Sequence, residues 1–257
     1  MNIERTHDSR TIQKMGLAAG SMCSTIIFDG DDTLWRTMPL YTAAKRRFFA
    51  LMSNLGFDAK CVEEEFEARD MKNVSAWGFT VERFRRSMVE TYEAFARRQG
   101  KSPTLRVEQR ISQVATSIVR NKTRPMPRAK EVLRTLHGRC RLVLLTKGEY
   151  ALQERRVAES GFSEFFERAV IVEHKNRETF LRVVRELDVT PEHTWSVGDS
   201  LRSDVIPALE AGLNAVWIPQ ETWGYESAEM TGKHRVLQAR TIRELPQILR
   251  KAGGAIR

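Results

Sequence analysis

A short β-rich run, Ser24-Thr-Ile-Ile-Phe28, breaks off into Asp29-Gly30-Asp31-Asp32-Thr33, and this change constrains the fold more than any other feature of the chain. Apolar residues in direct succession, without polar alternation, describe a strand buried on both faces, as in a parallel sheet. The acidic residues then stand at its carboxyl end, where open α/β sheets bind ligands. Partners for such a strand come from the second half of the chain. After Arg124-Pro-Met-Pro127 the pattern predicts helix 128–137, strand Arg141–Leu145, helix 150–160, strand 168–172 and helix 176–187. Strand 194–197, helix 203–211, strand 214–218 and a last helix near 242–251 complete the series. This rhythm implies parallel strands joined by crossover helices.

Between Leu40 and Lys122 the texture is helical throughout, with Tyr41, Phe48, Met52, Phe66, Phe84, Met88 and Ile111 among its apolar positions. The expected fold class is therefore α/β, a Rossmann-like parallel sheet core with an all-helical domain inserted after the first strand. Core segments are expected at 23–38 and 123–257, with the insertion at 39–122. Residues 1–22 lack periodicity and are read as a mobile extension, or as sequence upstream of a start at Met22. At 257 residues and 41% apolar composition, the chain can bury a core without staples.

Several classes are set aside by composition. Cys23, Cys61 and Cys140 are odd in number and far apart, so neither a disulfide framework nor a zinc site is expected, and a reducing cytoplasm is the natural setting. No run approaches the roughly 18 apolar residues of a membrane-spanning helix, and Gly16–Ser21 is too short for the apolar part of a secretory signal. The formal charge is +9, and the segment Arg36–Pro125 carries 18 Lys and Arg against 10 Asp and Glu. Runs such as Lys45-Arg46-Arg47, Arg85-Arg86 and Arg97-Arg98 are expected to pair in part with Glu82, Glu90 and Glu93 at helical spacings. Attraction for an anionic substrate stands beside that reading.

Two carboxylates as close as Asp29 and Asp31, at the end of a buried strand, repel each other unless a cation or a shared proton intervenes. A divalent metal does this best. Magnesium takes oxygen ligands, often one or two carboxylates plus phosphate oxygens. Asp199 and Asp204 in Trp195-Ser-Val-Gly198-Asp199-Ser-Leu-Arg-Ser-Asp204, at the end of a later strand, are candidates for a further ligand. Thr146 ends the strand after Leu144-Leu145, and Lys175 follows Ile171-Val172-Glu173-His174. Lys147 and His174 compete with Lys175; Lys175 is preferred because it directly precedes the 176–187 helix.

In this order the motifs resemble the haloacid dehalogenase superfamily. Phe28-Asp29-Gly30-Asp31-Asp32-Thr33-Leu34 is similar to its first signature, Thr146 to its second, Lys175 to its third, and Gly198-Asp199 with Asp204 to its fourth; the likeness covers about residues 24 to 250. It implies a phosphatase in which Asp29 is the nucleophile and Asp31 the general acid and base. It also implies magnesium held by Asp29, the backbone carbonyl of Asp31 and Asp199. Thr146, Lys175 and Lys147 are expected to bind the substrate, with Asp204 and Thr33 supporting these groups. The acid at Asp31 favours phosphate chemistry over dehalogenation. The insertion resembles the family's helical cap, and its Asn73–Phe79 loop is expected to reach the leaving group through Trp77.

The expected partner is a small phosphorylated substrate, with no membrane and no nucleic acid, and the chain is expected to be a monomer or homodimer. Two alternatives stay open. A phosphomutase of the same superfamily would isomerise a sugar phosphate without releasing phosphate. A basic nucleic-acid-binding module on a non-catalytic scaffold would give a salt-sensitive gel shift.

Overall fold

The structure is a computed structural model that describes residues 24–221, 226, 228 and 236–252; the expectation for residues 1–22 lies outside them. Strand β1 (Thr25–Phe28) is followed by the two-residue β2 (Trp35–Arg36) and by four helices, α1 (Met38–Asn54), α2 (Ala59–Trp77), α3 (Val81–Arg98) and α4 (Leu105–Arg120). Then come β3 (Arg124–Pro125), α5 (Ala129–Leu136), β4 (Arg141–Lys147), α6 (Tyr150–Ser160), β5 (Arg168–Val172) and α7 (Arg177–Leu187). The chain continues through β6 (Thr194–Gly198), α8 (Ile206–Glu210), β7 (Asn214–Trp217), β8 (Leu237–Gln238) and α9 (Leu245–Lys251).

Six strands form one sheet in the order β5-β4-β1-β6-β7-β8, with every recorded pairing in it parallel. β1 sits inside the sheet because all four of its residues are buried. Its side chains alternate between layers, as strand geometry requires. Ile26 and Phe28 join the apolar cluster of α5 and α9, with Leu133, Leu136, Leu245 and Leu249, whereas Ile27 joins Phe180, Val183 and Ala208 of α7 and α8. The sheet is thus covered on both faces, and its polar residues are displaced to the strand ends.

The all-helical insertion follows the first strand. α1 to α4 pack around their own core, with Phe48, Phe66, Phe84, Met88 and Ile111 fully buried. α2 and α3 are capped by Asp58 and Thr80, whose side chains accept from the amides of Cys61 and Arg83. At the base of the insertion β2 and β3 pair antiparallel, Trp35 opposite Pro125 and Arg36 opposite Arg124, so both connections to the sheet are tied together. Part of the insertion's charge is paired at helical spacing: Arg85 with Glu82, Arg86 with Glu90 and Arg97 with Glu93. No helix among the described residues is long and apolar enough to cross a membrane.

Two details depart from the sequence pattern. β4 runs two residues beyond Leu145, so Thr146 and Lys147 belong to the strand. The helix expected over 203–211 is a π-helical turn at Leu201–Val205 followed by the short α8. Such wide turns recur at functional sites because they re-aim side chains.

Candidate active site

Register decides which residues meet. Phe28 pairs with Leu144 of β4 and Val197 of β6, so Asp29, Thr146 and Asp199 emerge at neighbouring strand ends. Lys175, from the loop after β5, completes the group: its Nζ lies 2.5 Å from Asp29 Oδ1 and 2.7 Å from Asp204 Oδ1. Neither Lys147 nor His174 makes that contact. Asp204 also accepts from the Ser200 amide at 3.0 Å, so both its oxygens are engaged. Asp29, Asp199 and Asp204 each present a carboxylate oxygen within 4.8 Å of the others.

Two of these carboxylates bond one buried ammonium, and the third lies beside them. Burial, chiefly, pushes the Asp29 carboxyl up to about 7; Asp204 and Asp31 push the same way while Lys175 opposes them. Asp199 is also raised, first by burial and then by Asp29 and Asp204. Two atoms here lack any hydrogen-bond partner although buried: Asp29 Oδ2 and Thr146 Oγ1. Buried polar atoms are nearly always satisfied, so these mark places for a ligand. An all-oxygen donor set with surplus negative charge fits a hard divalent cation. Asp29 and Asp199 can hold it, while Asp204 stays bound to Lys175 and Ser200.

Gly198 makes this packing possible. A Cβ at that position would overlap the Asp204 side chain. Gly198→Ala is therefore expected to destabilise the protein by roughly 1–3 kcal/mol through overpacking, read as a lower urea midpoint. An unchanged midpoint would mean that Asp204 can move at no cost.

Asp31 is set apart from this cluster. It accepts from Trp35 Nε1 at 2.7 Å, Gln153 Nε2 at 2.9 Å and Arg156 Nη1 at 2.6 Å. Gly30 lets the Trp35 ring lie directly against the loop, because a Cβ there would strike it. Asp32 has another job. At φ 57° it turns back and accepts from the amides of Thr37 and Met38 at 2.8 and 3.0 Å, capping α1 while the Thr37 hydroxyl donates to the same carboxylate. Thr33 donates weakly to Asp199 at 3.4 Å.

A family model of haloacid dehalogenase-like hydrolases matches residues 23–212. The chain belongs to this family. Among curated relatives of this hydrolase, the pyrimidine 5'-nucleotidase YjjG of Escherichia coli K12 is 24% identical over 75% of this chain and 84% of its own length. A glyceraldehyde 3-phosphate phosphatase of Methanopyrus kandleri is 27% identical over 77% and 84%. A haloacid dehalogenase-like hydrolase from Xanthomonas campestris superposes with a TM-score of 0.78 at 26% identity, covering 93% of this chain and 95% of that one. An L-2-haloacid dehalogenase of Xanthobacter autotrophicus shares the fold at 14% identity, TM-score 0.62, over 89% and 98%.

The hydrolase's cavity, about 100 Å³, opens between the sheet's carboxyl edge and the insertion, with Asp29, Asp31, Lys147, Phe79, Arg156 and Lys175 in its lining. Of the Asn73–Phe79 stretch expected as a loop, residues 73–77 are the last turns of α2, and Phe79 is the residue that reaches the cavity. Trp77, expected there, is 45% exposed, outside the lining, and covered by the Arg86 guanidinium 4.4 Å from its ring. The reason is local: Trp77 ends α2, and Gly78 at φ 60° turns the chain before Phe79. Lys147 lies 3.7 Å over the Phe79 ring and bonds Ser203 at 2.8 Å and Glu226. Sequence reasoning missed Gln153, Arg156 and Glu226. A polar residue on a helix reads as solvent-facing, and Glu226 lies in a stretch without periodicity; only proximity to Thr146-Lys147 offered a hint for the first two.

Proposed function

We propose that this hydrolase is a magnesium-dependent phosphatase that hydrolyses a small phosphate monoester through an aspartyl-phosphate on Asp29. The observation that carries the reading is the division of labour between two carboxylates. Asp29 is buried, fixed through one oxygen by Lys175, and has its other oxygen unpartnered. Asp31, two residues on, is held by three donors of its own. A carboxylate aimed as a nucleophile and a separate one for proton transfer suit phosphate ester cleavage, whereas a halide leaving group needs no proton.

In this reading the Asp29 oxygen attacks phosphorus as the bond to the leaving oxygen breaks, and Asp31 supplies the proton that the leaving oxygen takes up. Asp31, now ionised, takes a proton from a water molecule that attacks the same phosphorus, releasing phosphate and restoring both carboxylates. Lys175 and Thr146 bind the non-bridging oxygens. Asp29, the Asp31 carbonyl and Asp199 would hold magnesium, which would supply positive charge to offset the negative charge on the phosphoryl oxygens. The four helices act as the cap, with residues 39–122 as its extent and 23–38 and 123–257 as the core. Free thiols at Cys61 and Cys140 agree with work in a reducing cytoplasm.

The test is phosphate release from an aryl phosphate and from alkyl phosphates, with magnesium and with a chelator. Release that depends on magnesium is expected. Equal rates in chelator would overturn the metal assignment, and isomerisation of a sugar phosphate without release would favour a mutase.

A further inference from the structure

Among the described residues, two of the other buried polar atoms without a recorded partner belong to the groups that hold Asp31. Gln153 is 2% exposed and Arg156 4% exposed, one helical turn apart on α6. Gln153 Nε2 uses both hydrogens, on Asp31 Oδ2 and on the Lys147 carbonyl at 2.9 Å each, which fixes the orientation of its amide. Its Oε1 is left as an acceptor without a donor. Arg156 spends Nη1 on the same Asp31 oxygen and lies within reach of the Tyr41 hydroxyl, and its Nη2 has no acceptor at full hydrogen-bond geometry. Both residues line the cavity that holds Asp29.

Four buried atoms without a recorded partner, among the described residues, fall into two sets beside Asp29 and Asp31. Asp29 Oδ2 and Thr146 Oγ1 lie on the phosphate side. Gln153 Oε1 and Arg156 Nη2 flank Asp31, the group that serves the leaving oxygen. One missing donor beside one missing acceptor is the complement of a hydroxyl, which can accept from Arg156 and donate to Gln153 at once. An ionised carboxylate or fully ionised second phosphate cannot donate to Gln153. Charge points the same way, because each cation of the lining already has a carboxylate: Lys175 has Asp29 and Asp204, Arg156 has Asp31, Lys147 has Glu226 and Arg83 has Asp70. A second anion would meet no unneutralised partner. Size adds a further limit, since a cavity of about 100 Å³ falls below the roughly 300–1,000 Å³ of pockets for drug-sized ligands.

We infer that Gln153 and Arg156 form a hydroxyl subsite, and that the substrate is a small phosphate ester with a hydroxyl on the carbon next to the ester carbon, a vicinal diol monophosphate. The inference rests on the phosphatase reading above. Arg156 serves twice, positioning Asp31 and binding the substrate's neighbouring hydroxyl. Gln153 does the same from the other side.

The experiment compares kcat/KM for 2-hydroxyethyl phosphate, ethyl phosphate and phosphoglycolate in wild type, Arg156→Lys and Gln153→Met. Ethyl phosphate lacks only the hydroxyl, so the ratio of the first two reads the subsite. Wild type is expected to prefer the hydroxylated ester by about 10- to 100-fold, the worth of two buried hydrogen bonds. In both variants the ratio is expected to fall towards one. Weakened positioning of Asp31 slows both esters together and so leaves the ratio alone, as would a merely structural role. A wild-type ratio near one, a ratio preserved in both variants, or a preference for phosphoglycolate would overturn the inference while leaving the phosphatase reading intact. Release of phosphate from none of these esters, nor from an aryl phosphate, would overturn both.

Discussion

Replacing Asp29 with Asn is expected to remove phosphate release by at least about 10⁴-fold, the scale of losing a covalent nucleophile, without loss of fold. The amide is nearly the same size and its oxygen can still accept from Lys175, but it cannot attack phosphorus. Stability should move in an informative direction when no metal is present. The Asp29 carboxyl is raised from 3.8 to about 7 by burial and by neighbouring carboxylates, so the folded protein binds this proton more tightly than the unfolded chain. That contribution to stability is full below about pH 4 and is lost as pH rises through 7. The Asp29→Asn variant carries no such dependence. In chelator, melting curves of wild type should therefore fall relative to Asp29→Asn between pH 4 and pH 8, and magnesium should narrow the gap by binding the ionised wild type. If wild type were the more stable at pH 8 without metal, the Lys175 ion pair would outweigh burial and repulsion together.

Much of this arrangement was legible from sequence because it depends on strand ends. A buried strand that stops at Asp29 fixes both the position and the exit direction of the acid, and parallel order brings Thr146, Lys175 and Asp199 to the same edge. Lys175 could be preferred over Lys147 and His174 on its place before α7, and its Nζ lies 2.5 Å from Asp29 Oδ1. What stayed hidden depends on pairings between distant residues. Arg156 reads as one more arginine in Glu154-Arg155-Arg156, yet it is 4% exposed while Arg155 faces out to pair with Glu159. Nothing local distinguishes the two, because the choice is made by which face of α6 meets Asp31. Glu226 bonds Lys147, Ser200 and Ser203, contacts spanning up to 79 positions in the chain. Trp77 and Phe79 differ only by a turn at Gly78, which sequence locates without saying which ring points inward.

Lys175→Met should give the largest loss of stability among single changes at the site, roughly 3–5 kcal/mol in metal-free protein, as for breaking a buried ion pair. Among the described residues the lysine is the one cation bonded to both Asp29 and Asp204, and its side chain is 2% exposed. Its ammonium is raised above its ordinary value because those carboxylates outweigh the burial that would lower it. Methionine fills a similar volume, so the loss would report charge and not a cavity. The carboxylates left behind could no longer share a positive neighbour, and two remedies follow from that. Magnesium should restore part of the stability, with a larger gain in Lys175→Met than in wild type at equal concentration. A second substitution, Asp204→Leu, should also recover part of it, because replacing both partners of a buried pair by apolar groups costs far less than stranding one. Activity should return with neither remedy, since the proposed mechanism also uses the ammonium to bind the phosphoryl oxygens. Urea unfolding of the three proteins with and without magnesium separates these outcomes. A Lys175→Met protein as stable as wild type in chelator would mean that Asp29 and Asp204 take up protons at no cost, and that the lysine serves phosphate binding alone.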